Sequence, residues 1–508
     1  RGDQNHTTKT KHMKNKNSVL TLGTIMSMTN ACLGTAILQL GYRFSQAGYL
    51  FSIFFFLFAS VFSFWSFRVI SKATAISKAY SVRDLMFKTC GKKGRIALDV
   101  SVIGMYFGII CNYTIVVSDY VHSAYVWFSK TKICDQPLIF DEQLCDIYFG
   151  CKKQSDYVEL CCILGVGLGL FILESLITKI QILNLISSVA LPIVAVTVVI
   201  IIVRVVQALQ NGVLQDQEVV WTRPIPNVPL YPQDWSSVLV DFPSYFMLYS
   251  LQVFIPPYFG EIQVADNKKY KIIEKSADFT VLVCLILYIG VAVTGPLIFN
   301  GENQNRAYKY DNILLNFSPT DVFTSIIKIL YTLNVAASFP AVLFSVRSMI
   351  AQILKIDRKT LKSKIYFVLI GVALCCLATI IALFIPQISI ITDLFASIFG
   401  CVIFQLMPIM ISINRSNAQY QEISNETNMK EMKVDQFEQG EDLLMDDEAE
   451  KTKGNLQNLD DQLDKAVDLP NLTKFGKIWN WLLFGFIVIT SLISFIVTIM
   501  KLFQPSPE

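Results

Sequence analysis

The chain has 508 residues, 53% of them hydrophobic and only 16% charged, where a soluble protein of this length carries nearer ~25% charged residues. Long apolar runs repeat along it, which excludes a soluble globular protein and gives an all-α polytopic membrane protein with the lipid bilayer as its surroundings. The formal net charge of +3 decides little and gives no reason to expect a nucleic-acid partner.

Residues 1–17 are polar and basic (Lys9, Lys11, Lys14, Lys16) and read as a cytoplasmic N-terminal tail. The first apolar run is too long for a cleavable signal peptide. Hydropathy predicts eleven spans, at about 18–42, 46–70, 96–127, 157–177, 180–207, 236–260, 276–298, 320–354, 363–385, 388–413 and 477–501. This organises the chain as a ten-helix core over 18–413, an acidic linker over 414–475, an eleventh helix over 476–501 and a tail over 502–508.

Loop charges orient these spans. The links after spans two, six and eight are basic (Arg83, Lys92, Lys93 and Arg95; Lys268, Lys269 and Lys271; Lys355, Arg358 and Lys359). Those after spans five and seven hold only Arg223, and Arg306 with Lys309. The N-terminus is therefore expected in the cytoplasm and the C-terminus on the opposite side. On that opposite side lie Cys134, Cys145 and Cys151, from which one disulfide could form. The same side holds a Pro-rich crossing over 224–232 and the glycosylation triplet Asn316-Phe317-Ser318. Residues 415–475 are acidic and rich in Gln and Asn, the composition of a disordered cytoplasmic linker.

Within span one, Asn30, Gly34, Thr35 and Ala36 stand where a plain membrane anchor would hold Leu and Val. Two readings follow: a helix broken to hold a ligand, whose free N–H and C=O ends face a carboxylate and a cation, or a tight helix–helix contact made by small residues. An inverted-repeat transporter of two five-span halves would break span six as well. That span reads from Asp241 to Glu261, with Ser250 and Gln252 at mid-membrane depth and Pro256-Pro257 expected to disrupt the helix. In span eight, Asn334 and Ser338 share a helical face. Their oxygens could hold a hard cation such as sodium, or simply bond within their own helix. Asp119, Glu174 and Asp393 lie toward span ends, where pairing or snorkelling is expected rather than a proton relay. Besides His122, near the outer end of span three, no histidine lies beyond residue 12.

In order along the chain, Asn30-Ala31-Cys32-Leu33-Gly34-Thr35-Ala36-Ile37-Leu38, Pro257 to Glu261, and Phe339 to Ser348 resemble the motifs of the amino acid/auxin permeases. The resemblance is nearest to their sodium-coupled neutral amino acid transporter branch. Tyr113 to Asp119 is similar to a span-three pattern of that family, with Ser118 in place of a glycine.

The resemblance implies a LeuT-like 5+5 inverted repeat with broken helices one and six, plus an eleventh helix. It implies an amino acid substrate met by Gly34, Thr35 and Ala36, with Tyr113, Tyr249, Ser250 and Gln252 as further lining candidates. Asn30, Leu33 and Ser338 are the candidate sodium ligands. Ala36 replaces a usual glycine, Gly41 a common proline, and Gln252 a frequent histidine. The expected activity is secondary active, sodium-coupled symport of small neutral amino acids. A proton-coupled permease and a non-transporting amino acid sensor are the alternatives. No cofactor and no enzymatic activity are expected, since the spans hold no paired aspartates, zinc motif or nucleophile–histidine set.

Overall fold

In the computed structural model the residues described here are 25, 28–29, 32–129, 158, 160–172, 192–204, 206–207, 230–232, 234–262, 266–299, 311–317, 322–354, 356, 361–385, 387–414 and 474–503. Asn30, Glu174, the cysteines of 134–151, Ser318 of the glycosylation triplet, both chain ends and the acidic linker lie outside them.

The first span is interrupted. Cys32 is helical, Leu33 and Gly34 are not, and the chain resumes as a 3₁₀ turn over Thr35–Gln39 that runs into α1, Leu40–Ala47. Leu33 N–H still reaches Thr29 O at 3.0 Å, but the next amide, Gly34 N–H, folds back onto Cys32 O at 3.0 Å. The small, polar residues of this stretch therefore mark a break in the helix, as the first of the two readings requires.

A tight corner joins α1 to α2 (Tyr49–Ser77). Gly48 takes φ 75°, a conformation that side chains rarely adopt. A Cβ there would lie 2.5 Å from the carbonyl carbon of Tyr231. Across the same corner Leu50 N–H donates to Leu230 O at 3.1 Å.

Helix α3, Val82–Ser129, includes most of the basic link after span two, which is thus a helix and not a loop, set off from the span by a kink at Gly91. The fourth span shows a π-helical stretch, Gly165–Leu170, and the fifth α4, Pro192–Arg204. Span six is the second interrupted one. Helix α5, Trp235–Met247, gives way to hydrogen-bonded turns over 248–254 before α6, Ile255–Glu261. Pro256 and Pro257 lie in the first turn of α6. They start the second half-helix rather than disrupt a continuous one, because the first turn of a helix needs no donor from them. Asp234 caps α5: the hydroxyl and amide of Ser236 both donate to it and hold its carboxyl below the ordinary carboxylate range.

The second half of the core holds α7 (Asp266–Phe299), a 3₁₀ turn over Ile313–Asn316, α8 (Val322–Ile353), α9 (Leu361–Phe384) and α10 (Ile388–Phe395). α10 continues as a π-helix over Ala396–Leu406, and α11 spans Lys474–Phe503. Seven described helices are long and apolar enough to cross a membrane. α7 packs on α1 and α2, and α2 on α5. α3 packs on α8, α9 and α10, while α11 lies against α5 and α10. The two interrupted spans stand five apart, where a pair of five-span repeats would place them.

Candidate functional site

The breaks in spans one and six are brought together by a tyrosine on a neighbouring helix. Tyr288 of α7, 1% exposed, sets its phenol 3.0 Å from Cys32 O and 2.9 Å from Leu248 O. These are the carbonyls at the ends of the first half-helices of spans one and six. Tyr331 of α8 donates to Gly34 O at 3.0 Å. Its ring meets Tyr120 edge-on, and the Tyr120 phenol bonds Asn312. A buried carbonyl without a donor costs about 1–3 kcal/mol, so these phenols make an interrupted backbone tolerable inside the protein.

Beside them is room. A Cβ built on Gly34 meets nothing within 4 Å. The first N–H groups of the 3₁₀ turn that begins at Thr35 have no partner within their own helix, and such a helix start favours an anionic group. Thr35 is buried and Ala36 half-buried. On the facing break, Gln252 is fully buried, and among the described residues neither its amide oxygen nor its nitrogen has a hydrogen-bond partner. A buried amide with nothing to bond is costly, and it suits a polar ligand group.

The remaining candidates are placed less uniformly. Ser250 is half-buried in the turn of span six, and Tyr113 is buried on α3. The hydroxyl of Tyr249 is 2.7 Å from Ser60 Oγ on α2, with its ring near Phe56 and Tyr288. Tyr249 therefore packs behind the break. Ser338 donates to Asn334 O at 2.9 Å within its own helix, which leaves its oxygen lone pairs able to accept or to meet a cation. Leu33 is buried at the break. Asn30 lies outside the described residues.

One constellation was missed in the sequence. Arg43 of α1 reaches Asp241 Oδ1 of α5 at 2.5 Å and Asp393 Oδ1 of α10 at 2.7 Å, and all three residues are buried. The guanidinium also donates to Gln39 Oε1 at 2.8 Å. Gln39 in turn donates to Thr392 Oγ1 at 2.9 Å, as does Asn112 of α3 at 3.0 Å. Ser244 Oγ donates to Asp393 Oδ1 at 2.6 Å. Close by, Asp311 accepts from Ser389 N–H, and burial raises its carboxyl above the ordinary range. Asp393 was expected to pair near a span end, and it does. Arg43 and Asp241 raised no signal because each falls at the edge of an apolar run. The one available hint was Gln39 and Arg43, four apart on one helical face.

Toward the other end of α8, Arg347 is fully buried, with its guanidinium 4.6 Å from the centroid of the Phe367 ring and 5.7 Å from that of Phe344.

Residues 18–430 match the family model described as "Transmembrane amino acid transporter protein". Human "Solute carrier family 38 member 10" is 20% identical over 65% of this chain. "Sodium-coupled neutral amino acid transporter 7" of Danio rerio is 22% identical over 35% of it. The chain spans 26% of the length of the human relative and 37% of that of the Danio rerio one. Among solved structures, MhsT in complex with L-phenylalanine aligns over 94% of this chain and 98% of its own, at 14% identity and a TM-score of 0.50. A manganese transporter of Eremococcus coleocola aligns over 96% of this chain and 87% of its own, at 9% identity and a TM-score of 0.51. At such identities the likeness is one of fold: a LeuT-like arrangement with spans one and six broken and an eleventh helix added.

Proposed function

We propose, on the premise that this chain belongs to the transmembrane amino acid transporter family, that it is a sodium-coupled symporter of small neutral amino acids working by alternating access. The observation that carries the reading is the joining of two interrupted spans through Tyr288. Gly34 has open space before it at one break, and at the other the buried amide of Gln252 has no hydrogen-bond partner among the described residues. A substrate carboxylate would take the free N–H groups at Thr35 and Ala36, while carbonyl ends would face its ammonium or a cation. Tyr113, Ser250 and Gln252 would meet the rest of the molecule. Asn30, Leu33 and Ser338 would hold sodium through oxygen atoms. The name of the Danio rerio relative supports sodium and a neutral amino acid as the first choices to test.

Alternating access needs a closure that can open, and the Arg43 cluster supplies one. It joins α1, α5 and α10, on the half of the protein that the loop charges assign to the non-cytoplasmic side. The buried carboxylates Asp241 and Asp393 keep a proton-coupled version as the second reading.

Flux of radiolabelled neutral amino acids into proteoliposomes tests both, under an inward sodium gradient and, separately, an inward pH gradient. Uptake driven by sodium is the expected result. Uptake that ignores sodium and follows pH replaces sodium with a proton. Substrate binding without flux under either gradient points to a sensor.

A further inference from the structure

We infer that Tyr288 is a positioning residue that couples the two breaks, by sharing one phenolic proton between the carbonyls of Cys32 and Leu248. This rests on the reading above, in which the break of span one meets the driving cation and both breaks meet the substrate.

The geometry is specific. The phenol stands within hydrogen-bond distance of both carbonyls, at 3.0 and 2.9 Å, yet it carries a single proton. Its ring is held edge-on by Phe56 and Tyr249, so the hydroxyl cannot swing far from either acceptor. Each carbonyl leads into one side of the site. Cys32 O also accepts Gly34 N–H, and Gly34 is the residue with open space before it. Leu248 is the first residue of the turn that carries Ser250 and Gln252.

A cation that draws the carbonyl ends of span one toward itself loosens the claim of Cys32 O on the phenol. The proton then belongs to Leu248 O, and the turn of span six is fixed in the shape the substrate meets. Cation and substrate thereby favour one another through one shared donor, which is coupling in the thermodynamic sense.

Substrate KM, measured in proteoliposomes across sodium concentration and across pH, gives the factor by which the driving cation lowers KM. For wild type a factor of about 5–150 is expected. Tyr288→Phe should bring the factor close to one and raise KM at saturating cation by about tenfold. Placing 4-aminophenylalanine at position 288 supplies two N–H donors, one for each carbonyl. It should therefore keep a wild-type KM at saturating cation while losing the coupling factor, a split that a purely structural role would not produce. Tyr49→Phe is the control. Its phenol donates to Val293 O at 2.9 Å, also on α7 but away from the breaks, and its loss should leave the factor unchanged.

A wild-type factor retained by the aminophenylalanine protein overturns the inference, even where Tyr288→Phe gives too little folded protein to assay. A wild-type KM that follows pH and not sodium removes the sodium reading alone, and Tyr288 is then judged by the same split in the proton factor. A wild-type KM that follows neither removes both.

Discussion

Replacing Arg43 with Met tests the buried cluster most directly. The substitution keeps an apolar stem of similar reach and deletes the guanidinium that now bonds Asp241, Asp393 and Gln39. Two carboxylates are left buried with their shared cation gone, and Ser244 is the remaining side-chain donor on Asp393. Removing one partner of a buried ion pair costs about 3–5 kcal/mol. At ~1.4 kcal/mol per factor of ten, the closed arrangement of α1, α5 and α10 should lose two or more powers of ten in population. Asp241→Asn and Asp393→Asn should be milder, since either one leaves a neutral pair. The combination of Arg43→Met with both Asn changes should recover most of the loss, because the guanidinium and the two carboxylates it bonded are then all neutral. Thermal unfolding of the purified protein in detergent reads the ranking, and thiol labelling of a cysteine introduced at Ser45, buried on α1 but outside the cluster, reads the opening. A triple variant as unstable as Arg43→Met, or an Arg43→Met protein that melts and labels like wild type, would refute the reasoning.

Three further outcomes are expected. Gly34→Leu should reduce uptake to background while the melting temperature stays near wild type, since a Cβ at position 34 meets no neighbour within 4 Å; normal uptake would place the site elsewhere. Ser338→Ala should raise the sodium concentration for half-maximal uptake, with a smaller effect at saturating sodium, whereas a hydroxyl that serves only Asn334 O predicts no change at any sodium level. In sealed membrane vesicles of known orientation, epitope tags at the N-terminus and within 415–475 should be cleaved by added protease only where the cytoplasmic face is outward, and a tag after Lys501 only where it is inward; both termini on one side would overturn the eleven-span topology.

Local physics made the two breaks legible. Gly34, Thr35 and Ala36 interrupt an apolar run, and Ser250 and Gln252 interrupt another five spans later, so polarity at membrane depth was visible one residue at a time. The proline pair was legible as punctuation, but its direction was not: nothing in Pro256-Pro257 alone says whether a helix stops before it or starts with it. Arg43, Asp241 and Asp393 form a unit only across 198 and 350 residues of chain. Hydropathy treats each as an ordinary span end, because pairing between distant helices leaves no periodic trace in either. Tyr288 was hidden for the opposite reason. An aromatic residue in an apolar run is the expected filling of a span, and only the carbonyls of two other spans, delivered by the fold, make its hydroxyl matter.

The corner at Gly48 bears on how this protein can be recombined with its relatives. The backbone of Tyr231 occupies the volume that any side chain at position 48 would need, and Leu50 is tied to Leu230 by its amide. The α1–α2 corner and the segment entering α5 are thus a single piece of architecture contributed by two distant parts of the chain. A chimera that imports the connection before span six from another family member must import its matching corner as well. A corner that carries any side chain at position 48 would set it against the main chain of Tyr231, a conflict invisible in either segment by itself.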